Sequence, residues 1–305
     1  MVEIALPDSF TRRVAQCWGA PGTRWLADLP EIATRVLHDW DLHLDRPCPL
    51  SLNWVTRVRR ADGSAAVLKM GIPGADHLSD EAAALEFFAG RGAVSMLAHD
   101  AARGAILLEE VRPGRPARSL VPDRDEDATA ALIGVIRGLH RPAPPGIALP
   151  ELAARRATFD EHLRRFPDDG PLPRHLVERA GRLLTELCET AIERVVLHGD
   201  LHHDNVLAAG REPWLVIDPH GLTGDPGYEI GAMLYNPYPM DDDTVLRLVP
   251  GRIEQLADGL DIPIERVVAW GFVQAVLSEV WNATGDGIAT GRPLRLASLL
   301  LPRLP

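Results

Sequence analysis

The segment that most restricts what this chain can become is VVLHGDLHHDNVLAAGREPWLVID, residues 195–218. Short apolar runs at 195–197, 206–207 and 214–217 read as strands. Between the first two lie His198, Asp200, His202, His203, Asp204 and Asn205, and the third run ends on Asp218. An apolar strand that stops at a carboxylate sets that group on a rigid, partly dry rim, where its charge acts more strongly than in open water.

The rest of the chain bounds the answer. At 305 residues it can bury roughly three quarters of its unfolded surface, as one large domain or two lobes. Charged residues at 25% and hydrophobic residues at 46% are ordinary for a soluble globular protein. The formal net charge of −11 disfavours nonspecific binding to nucleic acid or an anionic membrane and suits a cationic small molecule. Cys17, Cys48 and Cys188 are odd in number and in no CxxC spacing, which suggests neither a disulfide framework nor a zinc site, and a reducing compartment. The opening MVEIALPDSFTRR lacks a basic stretch followed by an apolar one, and no run reaches the length of a membrane span. A cytoplasmic protein without membrane or nucleic-acid partners, a monomer or weak dimer, is expected.

Along the chain, residues 31–40 pattern as a helix, and LSLNWVTRVRR at 50–60 alternates as a half-exposed strand. The turn at 61–64, ADGS, leads into a second hairpin strand, AAVLKM. Residues 80–88 read as a helix stopped by Gly90, and 105–108 as a strand running into Glu109-Glu110-Val111 and the Pro113-Gly114 break. Beyond that break come helical patterns at 125–140, about 151–166, 174–192 and 263–282. The expected fold is α+β and bilobal: a small β-rich N-terminal lobe over 1–110 and a larger, mainly helical C-terminal lobe over 111–305.

Lys69 is the one lysine beside 31 arginines, together the 32 basic residues of the chain. In a composition this biased toward arginine, a lysine inside an apolar strand points to a place where a compact charge on a flexible stem is required, as at a phosphate or in a Schiff base. A surface lysine at a strand edge is the bland alternative. For the 195–218 segment, His198, His202, His203 and Asp218 are zinc-ligand types, but their spacing matches no common zinc pattern. His198-Gly199-Asp200, four residues, Asn205, then a strand ending in Asp218 keeps the spacing of phosphoryl-transfer sites instead. A P-loop is excluded, because the single lysine follows Leu68 rather than glycine.

On LHGDLHHDNVL at 197–207, VIDPHGLTGDPGYEIG at 216–231, VLKM at 67–70 and ILLEEV at 106–111, the chain resembles the aminoglycoside phosphotransferase family, within it the streptomycin kinase and hydroxyurea phosphotransferase group. The resemblance runs in order through nearly the whole chain and implies a protein-kinase-like fold. It implies ATP and Mg2+ as cofactors, with a nucleotide-binding N-terminal lobe and a catalytic, substrate-binding C-terminal lobe. Asp200 would then act as base toward a substrate hydroxyl, and Asn205 and Asp218 would hold the metal. Lys69 would clamp the α- and β-phosphates, fixed by Glu81 with Glu86 as the rival. The backbone at Glu109 and Val111 would meet the adenine edge. His198 would brace the loop, as would Asp225, which could equally be a plain turn aspartate before proline.

The chain also departs from the pattern. No glycine-rich loop precedes the hairpin, where Arg46-Pro47-Cys48-Pro49-Leu50-Ser51 stands, so phosphate contact there falls to Ser51 or to a backbone amide. His202 and His203 cap backbone groups, or one of them, His203, leans toward substrate. No role is preferred for His220. Carboxylates for a cationic acceptor are sought in the C-terminal helical region, with Glu279 ranked first beside Trp281, Asn282 and Asp286, and in a loop at Asp241, Asp242 and Asp243. The expected activity is ATP-dependent O-phosphorylation of a small, cationic hydroxylated molecule, streptomycin-like, or of a hydroxyurea-like one. The alternatives are a kinase of an unrelated metabolite alcohol, a nucleotide-binding pseudoenzyme, and a Schiff-base lyase built on Lys69.

Overall fold

The computed structural model describes residue 4 and residues 6–74, 76–168, 170–285 and 291–304. The chain divides into two compact units, Met1–Val111 and Arg112–Pro305.

The first unit is a five-stranded antiparallel sheet and two helices. Helix α1 (Asp8–Asp39) reaches far upstream of the stretch its pattern suggests. It is two helices meeting at Gly19, whose φ of 57° is left-handed. Gly19-Ala20-Pro21 reads as a break in sequence, yet proline is tolerated in the first turn of a restarting helix. The strands are β1 (Leu42–Pro47), β2 (Trp54–Arg60) and β3 (Ala65–Met70), then, after α2 (Asp76–Phe88), β4 (Met96–Asp100) and β5 (Ala105–Glu109), in the order β1-β2-β3-β5-β4. Phe10, Val14, Trp25, Leu29 and Val36 of α1 share one core with Trp54, Val58, Ala66, Leu68, Met70 and Leu107 of the sheet. Side chains alternate across a strand, so with Ala66, Leu68 and Met70 committed to that core, Lys69 projects from the opposite face.

The second unit opens with β6 (Pro113–Pro116) and α3 (Asp125–Leu139), then α4 (Arg156–Arg165) and α5 (Arg174–Glu189). Four short strands follow: β7 (Val195–Leu197), β8 (Val206–Ala209), β9 (Trp214–Val216) and β10 (Leu222–Gly224). They form a three-stranded sheet, β6-β8-β9, and a separate β7-β10 pair. The unit closes with α6 (Gly231–Tyr235), α7 (Asp242–Leu260), α8 (Ile264–Gly285) and α9 (Arg292–Leu300). Helix α8 is apolar on every side, burying Val267, Trp270, Phe272, Val273, Val276, Leu277 and Val280. Such a helix belongs at the centre of a helical layer, and α4, α5, α6, α7 and α9 all pack on it.

The aspartate run at 241–243 is not a loop. Asp241 caps α7, accepting from Thr244 N at 2.8 Å, and Asp242 and Asp243 occupy its first turn, where carboxylates complement the helix dipole. Both are also ion-paired, Asp242 with Arg292 at 2.8 Å and Asp243 with Arg295. Among the described residues no helix is long and apolar enough to cross a membrane.

Candidate active site

Two strand ladders build the polar loop of the second unit. Leu197 of β7 pairs with Leu222 of β10, so the chain leaves β7 beside Gly221. Val206 of β8 pairs with Val216 of β9, and Ile217 N extends that ladder by donating to Asn205 O at 3.0 Å. Both ends of the 198–205 loop are thereby fixed against 217–221.

His198 ties the two segments together. Its carbonyl accepts from His220 N at 2.7 Å and Gly221 N at 3.1 Å. Its ring Nε2 donates to Ile217 O at 2.9 Å, and its Nδ1 accepts from Asp200 N at 3.3 Å. With both ring nitrogens committed and the side chain fully buried, His198 is a structural knot. Gly199 follows with φ 85°, a conformation only glycine adopts freely. Its N–H points at the buried carboxylate of Glu229, 3.2 and 3.4 Å from the two oxygens.

This turn presents Asp200. Its Oδ2 lies 3.6 Å from His202 Nε2 and 3.7 Å from His220 Nε2. Burial works against ionisation, yet the His202 hydrogen bond and the charges of His202 and His220 hold the Asp200 carboxyl below the usual aspartate range. The reciprocal effect appears on His202: burial would lower its pKa, but Asp200, with Asp204 and Asp218, raises it. Burial lowers the pKa of His220. Asn205, mostly buried, donates from Nδ2 to Asp200 O at 3.0 Å, which leaves Oδ1 as an acceptor. Asp218, just past β9, is exposed and takes φ 61°, a left-handed conformation uncommon for non-glycine residues but one that aspartate adopts more readily than most. Ile217, bonded to both Asn205 and His198, fixes Asp218 against the loop.

In the first unit, Lys69 Nζ lies 2.5 Å from Glu81 Oε2, with both side chains buried. Glu86 is exposed, because it sits on the opposite face of α2. An ammonium held in such a pair serves as a fixed charge, whereas a Schiff base needs the neutral amine. Ser51 lies exposed in the β1–β2 connection. Glu109 N donates to Ser95 O at 3.0 Å, and its side chain accepts from Ser95 N at 2.9 Å, which locks this strand end. Val111, half-buried, ends the unit.

Several sequence expectations need correction. Asp225 does not spend its carboxylate on the 198–205 loop. It accepts from Gly227 N at 2.7 Å and Trp270 Nε1 at 3.2 Å and pairs with Arg266. Glu229, unmarked by any local signal, is the carboxylate that reaches the loop. His203 is fully buried, its ring nitrogens have no partner among the described residues, and burial together with Arg252 drives its pKa well down. His202 is the histidine at Asp200. Glu279 is fully buried on α8, where one carboxylate oxygen accepts from Leu294 N at 3.4 Å at the start of α9 and the other, Oε2, has no partner among the described residues. Trp281 and Asn282 are exposed; Asn282 bonds Glu279, and Trp281 carries Arg155 on its ring. Asp286 lies outside the described residues.

The donor set discriminates among metals. No group of three or more His, Cys, Asp and Glu residues able to hold a metal occurs among the described residues, and His198 and His203 are committed or buried, so the zinc set fails. One carboxylate and one amide oxygen, Asp218 and Asn205, fit magnesium, which keeps waters and takes phosphate oxygens to complete its shell.

Comparison with known proteins agrees with this chemistry. The family model described as aminoglycoside/hydroxyurea antibiotic resistance kinase matches residues 51–287. The chain is 32% identical to a streptomycin 6-kinase of Streptomyces griseus over 96% of its own length and 95% of that protein. It is 34% identical to a hydroxyurea phosphotransferase of Kitasatospora aureofaciens over 98% and 87%. Its fold matches a thermostable mutant of aminoglycoside phosphotransferase APH(4)-Ia in ternary complex with ADP and hygromycin B, with a TM-score of 0.59 at 14% identity over 88% and 97% of the two chains. A loop of this spacing, a buried lysine–glutamate pair and a family match over most of the length lead to one assignment: the chain belongs to the aminoglycoside/hydroxyurea antibiotic resistance kinases, phosphotransferases of small molecules on a protein-kinase-like scaffold.

Proposed function

We propose that the chain transfers the γ-phosphate of ATP to a hydroxyl of a small molecule of the streptomycin or hydroxyurea class, with Asp200 as base. The observation that carries this reading is the convergence of Asp200, Asn205 and the Ile217–Asp218 strand end on the His198 knot. The acceptor oxygen bonds to the γ-phosphorus, the bond from that phosphorus to the β,γ-bridging oxygen breaks to leave ADP, and the hydroxyl proton passes to Asp200. Because the transition state is loose, the carboxylate mainly orients the oxygen.

Asn205 Oδ1 and Asp218 hold magnesium, which when bound neutralises phosphate charge. Lys69, fixed by Glu81, supports the α- and β-phosphates as a point charge. The main chain at Glu109 and Val111 meets the adenine edge, and Ser51 contacts phosphate. His198 and Glu229 position the loop without touching substrate.

The test is acceptor-dependent ATP turnover. Asp200→Asn should lower kcat by about 10²–10⁴-fold, with ATP affinity within about twofold of the parent. Unchanged turnover in that variant removes Asp200 as base.

A further inference from the structure

One arginine of the first unit touches both segments on which the nucleotide reading relies there besides Lys69. Trp54 and Val58 of β2 lie in the core shared with α1, so Val55 and Arg57, which alternate with them, project from the other face. Val55 stands opposite Lys69 of β3 and Arg57 opposite Val67, while Ile106 and Leu108 of β5 pair with the same two residues from the other side. The face that carries Lys69 is therefore an apolar bed of Val55, Val67, Ile106 and Leu108, with the ammonium in one row and Arg57 in the next.

Arg57 Nε donates to Glu110 Oε1 at 2.8 Å, and a terminal nitrogen of the same guanidinium lies 3.7 Å from Cys48 Sγ. Glu110 stands between Glu109 and Val111, whose main chain is proposed to meet the adenine edge. Cys48 opens the β1–β2 connection, and its N donates to Val55 O at 3.3 Å. That connection, CPLSLN at 48–53, contains no glycine. Pro47 and Pro49 fix φ, and Arg13 of α1 donates to Leu50 O at 2.9 Å, so the connection is tied to β2 and to α1. A guanidinium suits this place because its rigid fork serves a carboxylate and a second acceptor at once, which an ammonium on a flexible stem does not do in fixed geometry. An exposed ion pair contributes little, but the Glu110 side chain is only 10% exposed, and removal of its partner leaves a desolvated carboxylate uncompensated beside the adenine-meeting main chain.

We propose that Arg57 is a positioning residue for the nucleotide: by bridging Glu110 and Cys48 it holds the strand end that meets adenine and the β1–β2 connection as a fixed strap, where a glycine-rich turn would otherwise have to close. This deepens, and rests on, the phosphotransferase reading above. Because the strap is set before the nucleotide arrives, loosening it weakens binding without slowing transfer.

The experiment titrates Mg·ATP calorimetrically into the full chain and its Arg57→Met, Glu110→Ala and Glu110→Gln variants, with Tm measured alongside. Arg57→Met and Glu110→Ala should each weaken binding about tenfold. Their combination should weaken it no further than either alone, because both break one interaction, and Glu110→Gln, which keeps the acceptor oxygen, should recover most of the loss. In turnover the loss should appear in KM for ATP, with kcat within about twofold of the parent. A lower Tm with unchanged affinity makes Arg57 a stability residue only and overturns the proposal, as does a double variant whose losses add. A parent that binds Mg·ATP but phosphorylates neither streptomycin nor hydroxyurea counts against the phosphotransferase reading, and the titration still decides the role of Arg57; a parent that does not bind Mg·ATP overturns both.

Discussion

Asp200 is placed and tuned by its neighbours. His202 and His220 flank its Oδ2, and its carboxyl is held below the ordinary aspartate range chiefly because His202 outweighs the cost of burial. A base with a lowered pKa is ionised over a wider range, so its activity persists as pH falls until the carboxyl protonates. Replacing His202 with Asn removes the stabilising partner and raises that pKa. The acid limb of the kcat/KM–pH profile of His202→Asn should therefore lie at higher pH than that of the parent; an unmoved limb would show that the His202 contact does not tune the base. Glu229 acts one residue earlier. Its buried carboxylate receives Gly199 N–H, and truncation leaves that donor buried and unpaired. Glu229→Ala should cost about 1–3 kcal/mol, read as a lowered Tm, and should also lower kcat, because the turn presenting Asp200 loses its anchor. Glu229→Gln, which keeps an acceptor oxygen, should recover most of both.

At the scale of elements, two buried arginines hold the segment between α6 and α7. Arg252 of α7 donates to Met233 O and Asn236 O, each at 2.6 Å, and pairs with Asp125 at the start of α3. Arg292 of α9 donates to Tyr235 O at 2.8 Å and Pro237 O at 2.9 Å. Arg252→Met leaves two carbonyls and a carboxylate without their donor, so a loss of about 3–5 kcal/mol is expected, visible as a lower urea midpoint. A loss below about 1 kcal/mol would show that the segment holds without it. The Arg252–Asp125 pair joins residues 127 positions apart and the backbone staples span up to 57; neither leaves a local trace, which is why α7, with Pro250 in its interior, is absent from the sequence reading. The loop at 198–205 is legible because its geometry is local: two short ladders and one glycine suffice to specify it. Lys69 and Glu81 are legible for a similar reason, since strand parity and the α2 face fix which way each points. Glu279 is not, because a carboxylate on a helix looks the same in sequence whether it lines a cavity or caps the next helix. The two adjacent histidines are equally ambiguous, and only the packing sends His203 inward and His202 to Asp200.

The whole molecule comprises two units with separate cores, one between α1 and the five-stranded sheet and one around α8. The proposed nucleotide contacts are divided between them, Lys69 in the first and Asn205 and Asp218 in the second. A ligand stabilises whatever folded structure it needs, by about 2.7 kcal/mol at a hundred times its Kd. Mg·ATP should therefore raise the unfolding temperature of the chain. Calorimetric melting of the full chain reads this shift, and an unmoved transition would count against nucleotide binding. The variants separate the contributions. Lys69→Met should remove most of the shift with or without magnesium. Asp218→Asn should remove only its magnesium-dependent part, leaving the smaller shift given by ATP with a chelator equal to that of the parent. The acidic surface sharpens this contrast: at a net charge of −11 the chain repels a free polyphosphate at long range, so nucleotide binding depends on the local cation at position 69 and on the metal. Raising the salt concentration screens that repulsion over about 10 Å at 0.1 M, and should weaken ATP binding far less than it weakens an exposed basic site; a steep loss with salt would place the nucleotide on the surface rather than at the buried Lys69–Glu81 pair.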